Sequence, residues 1–99
     1  MNMVDKELIQ VLNGQMDAGL SDNLDAGELR GKLIEFINHL IQKDFEKLVS
    51  ILYRVDVDEN KLKTLLKASP GTDAAVLIAD LIIERELQKI KTRKTFKSE

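Results

Sequence analysis

The strongest constraint on the fold of this chain is the spacing of its apolar residues between Leu29 and Val55. Apolar side chains recur there in steps of three and four, which is the repeat of one face of an α-helix. No segment shows the strict alternation of apolar and polar residues that is typical of a half-buried strand. The sequence therefore predicts an all-α fold, a small helical bundle of about four main helices with a short N-terminal helical arm.

The same spacing predicts where the helices lie. The main helices are expected over about 26–43, 44–55, 57–68 and 72–93, with a weaker one near 5–12 that Gly14 ends. The apolar stripe continues across Lys43 and Asp44, so one long helix is the alternative to two. We favour a break, because Asp44 is a good N-cap and an uncapped helical pattern longer than about 25 residues is unusual in a globular domain.

Charge and composition divide the chain into three parts. Residues 1–28 carry a net charge of −5 and residues 89–99 a net charge of +4. We expect an acidic arm and linker at 1–24, a helical bundle domain at 25–94 and a basic C-terminal tail at 95–99. The two ends are either solvated or attracted to each other, within one chain or between two.

Several classes of protein are excluded by composition. There is no cysteine, which excludes disulfides, thiolate catalysis and cysteine zinc sites. The longest apolar run, residues 74–83, is interrupted by Asp80 and falls short of the about 20 residues that span a membrane. Residues 1–10 lack the basic and apolar regions of a secretory signal. The sequence predicts a cytoplasmic protein with no membrane partner.

The segment RVDVDENKL, residues 54–62, has a spacing that resembles a calcium-binding loop. Asp56, Asp58 and Asn60 occupy positions one, three and five of an EF-hand loop. Position six, which requires glycine, is Lys61, and position twelve, which requires a bidentate glutamate, is Lys67. A lysine in place of the principal ligand argues strongly against calcium binding in this register.

We interpret this segment instead as a corner between two helices. Asp56 is predicted to cap the second helix, with Glu59 three residues on in a capping-box arrangement. Tyr53 is expected to anchor the corner, with Arg54 beside it.

The last helix is predicted to begin after Pro70 and Gly71, with Thr72 or Asp73 as its cap. Its body is apolar almost all round, which is typical of the central helix of a bundle or of a helix half-covered by a second copy. The candidate interface residues on it are Val76, Leu77, Ile83, Leu87 and Ile90.

Asp80 interrupts this apolar helix. A buried carboxylate needs a partner, and we expect Arg54, His39 or a neighbouring lysine to provide one. Structural pairing is favoured over catalysis, because nothing else in the sequence assembles a reaction centre.

Two segments resemble those of other proteins. The chain resembles a group of short, uncharacterised all-α bacterial proteins of unknown function in two segments, DFEKLVSILYRVDV at 44–57 and LIIERELQKIKTR at 81–93. The resemblance covers about residues 36–93 and implies a single, complete helical protein of bacterial origin. It implies no catalytic residue, since the group has no established activity.

No pattern of catalytic or ligand-binding residues stands out. His39 is the one histidine and has no nucleophile pattern near it, and a metal site would need three or four convergent donors. Gly27 and Gly31 match neither a P-loop nor a dinucleotide fingerprint. The sequence predicts no enzyme, no cofactor, no metal and no small-molecule substrate.

Two hypotheses for function remain. The first is a small helical interaction module that forms a homodimer or binds an unidentified protein partner; a monomer with the last helix at its centre is the alternative. The second is a nucleic-acid-binding accessory protein that uses the basic C-terminal segment. Its candidate contacts are Lys89, Lys91, Arg93, Lys94 and Lys97. Nucleic acid is the less favoured partner, because the chain as a whole carries a net charge of −2.

Overall fold

The computed structural model describes residues 6–16, 19–21, 24–68, 71 and 73–97, with side chains as far as Arg93. The described part contains the helices α1 (Lys6–Met16), α2 (Ala26–Lys43), α3 (Phe45–Val55), α4 (Glu59–Ala68) and α5 (Ala74–Lys97). The predicted all-α class is confirmed. Among these residues, no helix has both the length and the hydrophobicity needed to cross a bilayer.

Helix α5 lies at the centre of the molecule. It packs against each of the other four helices, most extensively against α2. Burial of its apolar surface therefore needs no second chain over most of its length. The core that these helices form includes Leu8, Ile9, Leu12, Met16, Leu29, Leu33, Ile37, Leu40, Leu48, Ile51, Val55, Ile78 and Ile82.

The predicted N-terminal helix exists, and it packs into the core rather than standing apart from it. Gly14 does not end this helix, which continues to the buried Met16. Burial of Met16 offsets the cost of about 1 kcal/mol that a glycine imposes inside a helix. The connection to α2 is tied back to α1, because the Asn13 amide donates to the Leu20 carbonyl (2.9 Å) and accepts from the Leu20 N–H (2.7 Å).

Aspartates cap the N-termini of α2 and α3. Asp44 lies between α2 and α3, where a break is predicted, and its carboxylate accepts a hydrogen bond from the Lys47 N–H. Asp25 begins α2 with a capping box that the sequence analysis missed: its side chain accepts from the Glu28 N–H (2.8 Å), and the Glu28 side chain accepts from the Asp25 N–H (3.0 Å). The signal for it was the spacing D-x-x-E immediately before the apolar stripe.

A corner between α3 and α4 is present, but its residues have different roles from those predicted. Asp56 does not cap α4; it ends α3 in the left-handed conformation, with φ of 65°. Asp58 caps α4 instead, accepting hydrogen bonds from the N–H groups of Asn60 (2.9 Å) and Lys61 (3.2 Å). Tyr53 does not anchor the corner, since it is 80% exposed. The prediction failed because it placed the start of α4 two residues too early.

Helix α5 begins after Asp73, which is one of the two caps that the sequence predicts. The Asp73 carboxylate accepts from the Ala75 N–H (3.1 Å), whereas Thr72, the other predicted cap, lies outside the described residues. The helix continues to Lys97, so residues 95–97 of the predicted basic tail are helical.

Candidate interaction surface

The residues of α5 that the sequence analysis singled out as an interface are mostly covered within the chain. Ile90 is 4% exposed and belongs to the core, so it cannot contact a partner. Val76, Leu77 and Ile83 are half-buried, and Leu87 is 44% exposed. Ile83 and Leu87 line a shallow depression of about 390 Å³ on the outer side of α5.

Asp80 is not the buried carboxylate that was expected. It is exposed, and its two oxygens accept from Nε (2.8 Å) and an Nη (3.0 Å) of Arg30, a partner that was not among those predicted. The hydrogen bond, and then the charge of Asp80, raise the pKa of the Arg30 guanidinium above its ordinary value. Arginine is already protonated at any physiological pH, so the shift leaves the charge of the pair unchanged.

The acidic and basic ends of the chain meet within one molecule. An Nη of Arg93 near the end of α5 donates to a carboxylate oxygen of Glu7 in α1 at 2.9 Å. This contact corresponds to the intramolecular alternative left open by the charge distribution.

Lys89, another candidate nucleic-acid contact on α5, also has an acidic partner. Lys89 donates to Glu86 at 3.0 Å, and Glu86 is itself 1% exposed. Lys91 is exposed, while Lys94 and Lys97 are helical with side chains outside the described residues. Lys89 is therefore held in an ion pair that compensates a buried carboxylate.

The largest exposed apolar side chains lie elsewhere, on the outer face of α3. Phe45, Val49 and Tyr53 are 60%, 37% and 80% exposed. They are spaced four residues apart, so they form one stripe along the helix. The buried Leu48 and Ile51 lie on a different face of the same helix. This stripe does not face the core.

The stripe borders an apolar cleft between α3 and α4. The cleft has a volume of about 430 Å³. Its apolar lining consists of Val49, Leu52, Tyr53, Val57, Leu62 and Leu66. We call Phe45, these six residues and the cleft they line the α3–α4 face. Of the five large apolar side chains that are exposed in the described part of the chain, four belong to this face; the fifth is Leu87.

The charges at the rim of this cleft are balanced. Asp56 accepts from an Nη of Arg85 at 3.2 Å, and Glu59 lies 3.2 Å from the ammonium of Lys63 one turn along α4. All of these side chains are substantially exposed except that of Arg85, which is 35% exposed. Asp56, Glu59 and Lys63 line the cleft together with its apolar side chains, whereas Arg85 does not. Each of the two acids is therefore paired with a base.

The apolar repeat did not reveal this face, because Phe45, Val49 and Leu52 continue the apolar stripe of α2 across Asp44. The break at Asp44 gives α3 its own orientation, in which Leu48, Ile51 and Val55 face the core. A signal was available in the sequence: α3 has apolar residues on two of its faces, more than one packing surface requires.

No reaction centre is apparent among the described residues. His39 is exposed and lines a separate depression with Glu35 and Lys32. In that part of the chain, no group of three or more His, Asp or Glu side chains is arranged to hold a metal ion. The charged side chains that line the α3–α4 cleft, Asp56, Glu59 and Lys63, are all engaged in ion pairs.

Comparison of the chain with protein-family models, with curated proteins and with solved structures finds no match.

Proposed function

We propose that this chain is a non-enzymatic helical interaction module that self-associates through its α3–α4 face. The observation that supports the proposal is the concentration of four of the five exposed large apolar side chains of the described residues on this one face. Contiguous exposed apolar surface generally marks an interface. A symmetric pair is the commonest arrangement by which a soluble chain covers such a surface.

The α3–α4 face is a better interface than the outer side of α5. Among the α5 candidates, Leu87 alone is exposed, whereas four large apolar side chains are exposed on the α3–α4 face. The α3–α4 face offers an aromatic side chain beside an apolar cleft. Interfaces are enriched in tyrosine.

The ion pairs near the end of α5 make nucleic acid a less favoured partner than the charge of the sequence alone suggests. Affinity for the phosphate backbone comes from cations that can replace its counterions. Lys89 and Arg93 are already paired with Glu86 and Glu7. Separating either pair would cost free energy and so weaken binding to nucleic acid. We therefore keep protein as the class of partner.

Sedimentation equilibrium at high micromolar concentration tests the proposal. The wild-type chain is expected to be a dimer, and Tyr53→Glu is expected to be a monomer, because a carboxylate would be desolvated at the contact. Thr64→Glu is the matched control. It adds the same charge at an exposed position of α4 that does not line the cleft, and it should remain a dimer.

Two results would contradict the proposal. A wild-type chain that stays monomeric at high micromolar concentration would show that it does not self-associate. A dimer that survives Tyr53→Glu but is lost in Leu87→Glu would return the interface to α5.

A further inference from the structure

The position of Tyr53 gives the proposed interface a specific geometry. Tyr53 is the most exposed large apolar side chain of the described residues, and it belongs both to the stripe on α3 and to the wall of the cleft. An aromatic ring that is 80% exposed beside a cleft of about 430 Å³ is a protrusion next to a recess. A surface with both features side by side is able to fit a copy of itself.

The symmetry of a homodimer decides which residues of such a surface can meet. In a two-fold contact, a side chain on the axis meets its own copy, so it must be uncharged. Tyr53 meets this condition, since two tyrosine rings can stack with an offset. A side chain away from the axis meets a different residue, so an acid there needs a base nearby.

The rim of the cleft meets this second condition. Glu59 and Lys63 have opposite charges and lie one turn apart on α4. Both side chains are more than half exposed, so each can turn from its partner in the same chain toward the opposite charge of a second copy. A rim of one sign would repel its own copy, whereas this balanced rim does not.

We propose that the second copy lies on the α3–α4 face with Tyr53 of both copies in contact across a two-fold axis, each ring covering the other copy's Leu62 and Leu66. This inference rests on the proposed self-association and adds the occupant's orientation to it. Glu59 of each copy then faces Lys63 of the other copy.

Tyr53 is the one tyrosine of the chain, which allows a direct test. Photo-oxidation with a ruthenium complex and persulfate couples two neighbouring tyrosine rings. Each ring loses one hydrogen atom, a carbon–carbon bond forms, and persulfate accepts the two electrons. Any dityrosine that joins two chains of this protein must therefore link Tyr53 to Tyr53. Wild type is expected to give a covalent dimer with dityrosine fluorescence under the conditions in which it sediments as a dimer.

Leu66→Glu is the informative variant, because it keeps the tyrosine and places a charge on the opposite wall of the cleft. Its dityrosine yield should fall more than about tenfold, since a charge buried at a contact weakens association by at least that factor. Thr64→Glu should couple like wild type. An unchanged circular dichroism spectrum establishes that both variants are folded.

The outcomes separate this inference from the proposed function. A chain that sediments as a dimer but couples no better than Leu66→Glu would overturn the Tyr53 contact and leave self-association standing. A chain that sediments as a monomer would overturn both, and would leave the cleft to a helix of another protein.

A mixing experiment tests the charge arrangement independently. Glu59→Lys gives a rim with two lysines, and Lys63→Glu gives one with two glutamates. Each variant alone should self-associate more than about tenfold more weakly than wild type, because like charges meet across the axis. The two variants mixed, with donor and acceptor dyes at their N-termini, should form a heterodimer detected by energy transfer.

The ion pair between residues 59 and 63 within each chain is lost in both variants, alone or mixed. Restored association in the mixture therefore reports contacts between chains only. Equal energy transfer from the mixture and from each variant with itself would overturn the charge arrangement.

Discussion

At the scale of single residues, aspartates determine where the helices begin. Asp25, Asp44, Asp58 and Asp73 each accept hydrogen bonds from backbone N–H groups at the start of α2, α3, α4 and α5. A carboxylate there satisfies donors that have no partner within the helix and interacts favourably with the helix dipole. Asp56 has the opposite place, at the end of α3 in the left-handed conformation.

Because Asp58 begins α4 and Asp56 ends α3, substitutions of the two residues should change the stability by different amounts. Asp58→Ala should lower the free energy of unfolding by about 0.5–2 kcal/mol, because α4 loses its cap. Asp56→Gly should cost less than that, because glycine adopts a positive φ without the steric penalty that other residues pay, which offsets the lost contact with Arg85. Urea denaturation measures both. A larger loss for Asp56→Gly than for Asp58→Ala would indicate that Asp56 is the residue that supports α4.

Glu86 is the one charged side chain in the described residues that is fully buried. It is 1% exposed, and Lys89, three residues on, supplies the compensating charge at 3.0 Å. A buried carboxylate without a partner is costly, whereas exposed ion pairs contribute little.

The contrast between buried and exposed pairs can be measured with the same substitution at two lysines. Lys89→Met should lower the free energy of unfolding by about 3 kcal/mol, because it leaves Glu86 buried and unpaired. Lys61→Met removes the exposed partner of Glu84 and should cost about 1 kcal/mol or less. Thermal or urea denaturation distinguishes these values. Similar losses for the two variants would indicate that water reaches Glu86.

At the scale of helices, α4 differs from the others in how it is held. Its ten residues, all of them described, include no buried side chain. It packs against α5, and the Lys61–Glu84 ion pair joins the two helices. Few buried contacts imply a low free energy of local opening.

Among the bundle helices α2 to α5, the backbone amides of α4 should therefore show the fastest hydrogen exchange. Backbone amides of Glu59–Ala68 are expected to exchange well before those of α2, whose buried stripe runs the length of the helix. Mass spectrometry of peptic fragments at a low protein concentration checks this. Protection of α4 should rise with protein concentration if the α3–α4 face is covered by a second copy, while that of α2 should not. Equal protection of α4 and α2 in the dilute chain would contradict the assignment.

At the scale of the whole molecule, α1 closes the core and joins the two ends of the described chain. It packs against α5 and α3, its buried side chains belong to the core, and Glu7 pairs with Arg93. Residues 6–16 thus contribute buried side chains to the same core as α2, α3 and α5.

Truncation of a single side chain in α1 tests its role in the core. Leu12→Ala should lower the free energy of unfolding by about 2–5 kcal/mol, because Leu12 is fully buried and the cavity would not collapse completely. That is a large part of the stability of a small domain. Gln10→Ala, at an exposed position of the same helix, is the control and should change stability little. A small effect of Leu12→Ala would restore the interpretation of α1 as a separate arm.

The sequence by itself determined the helical class, favoured the break at Asp44 over one long helix, and offered Asp73 as one of two caps for α5. These features depend on the 3.6-residue repeat and on hydrogen bonds between residues a few positions apart, which the order of amino acids shows directly. The tertiary structure decided the rest. Arg30 reaches Asp80 from 50 residues away, and the packing of α3 turns Phe45 and Val49 outward. Which of two apolar faces becomes the surface of α3 depends on where distant helices lie, and no local pattern contains that information.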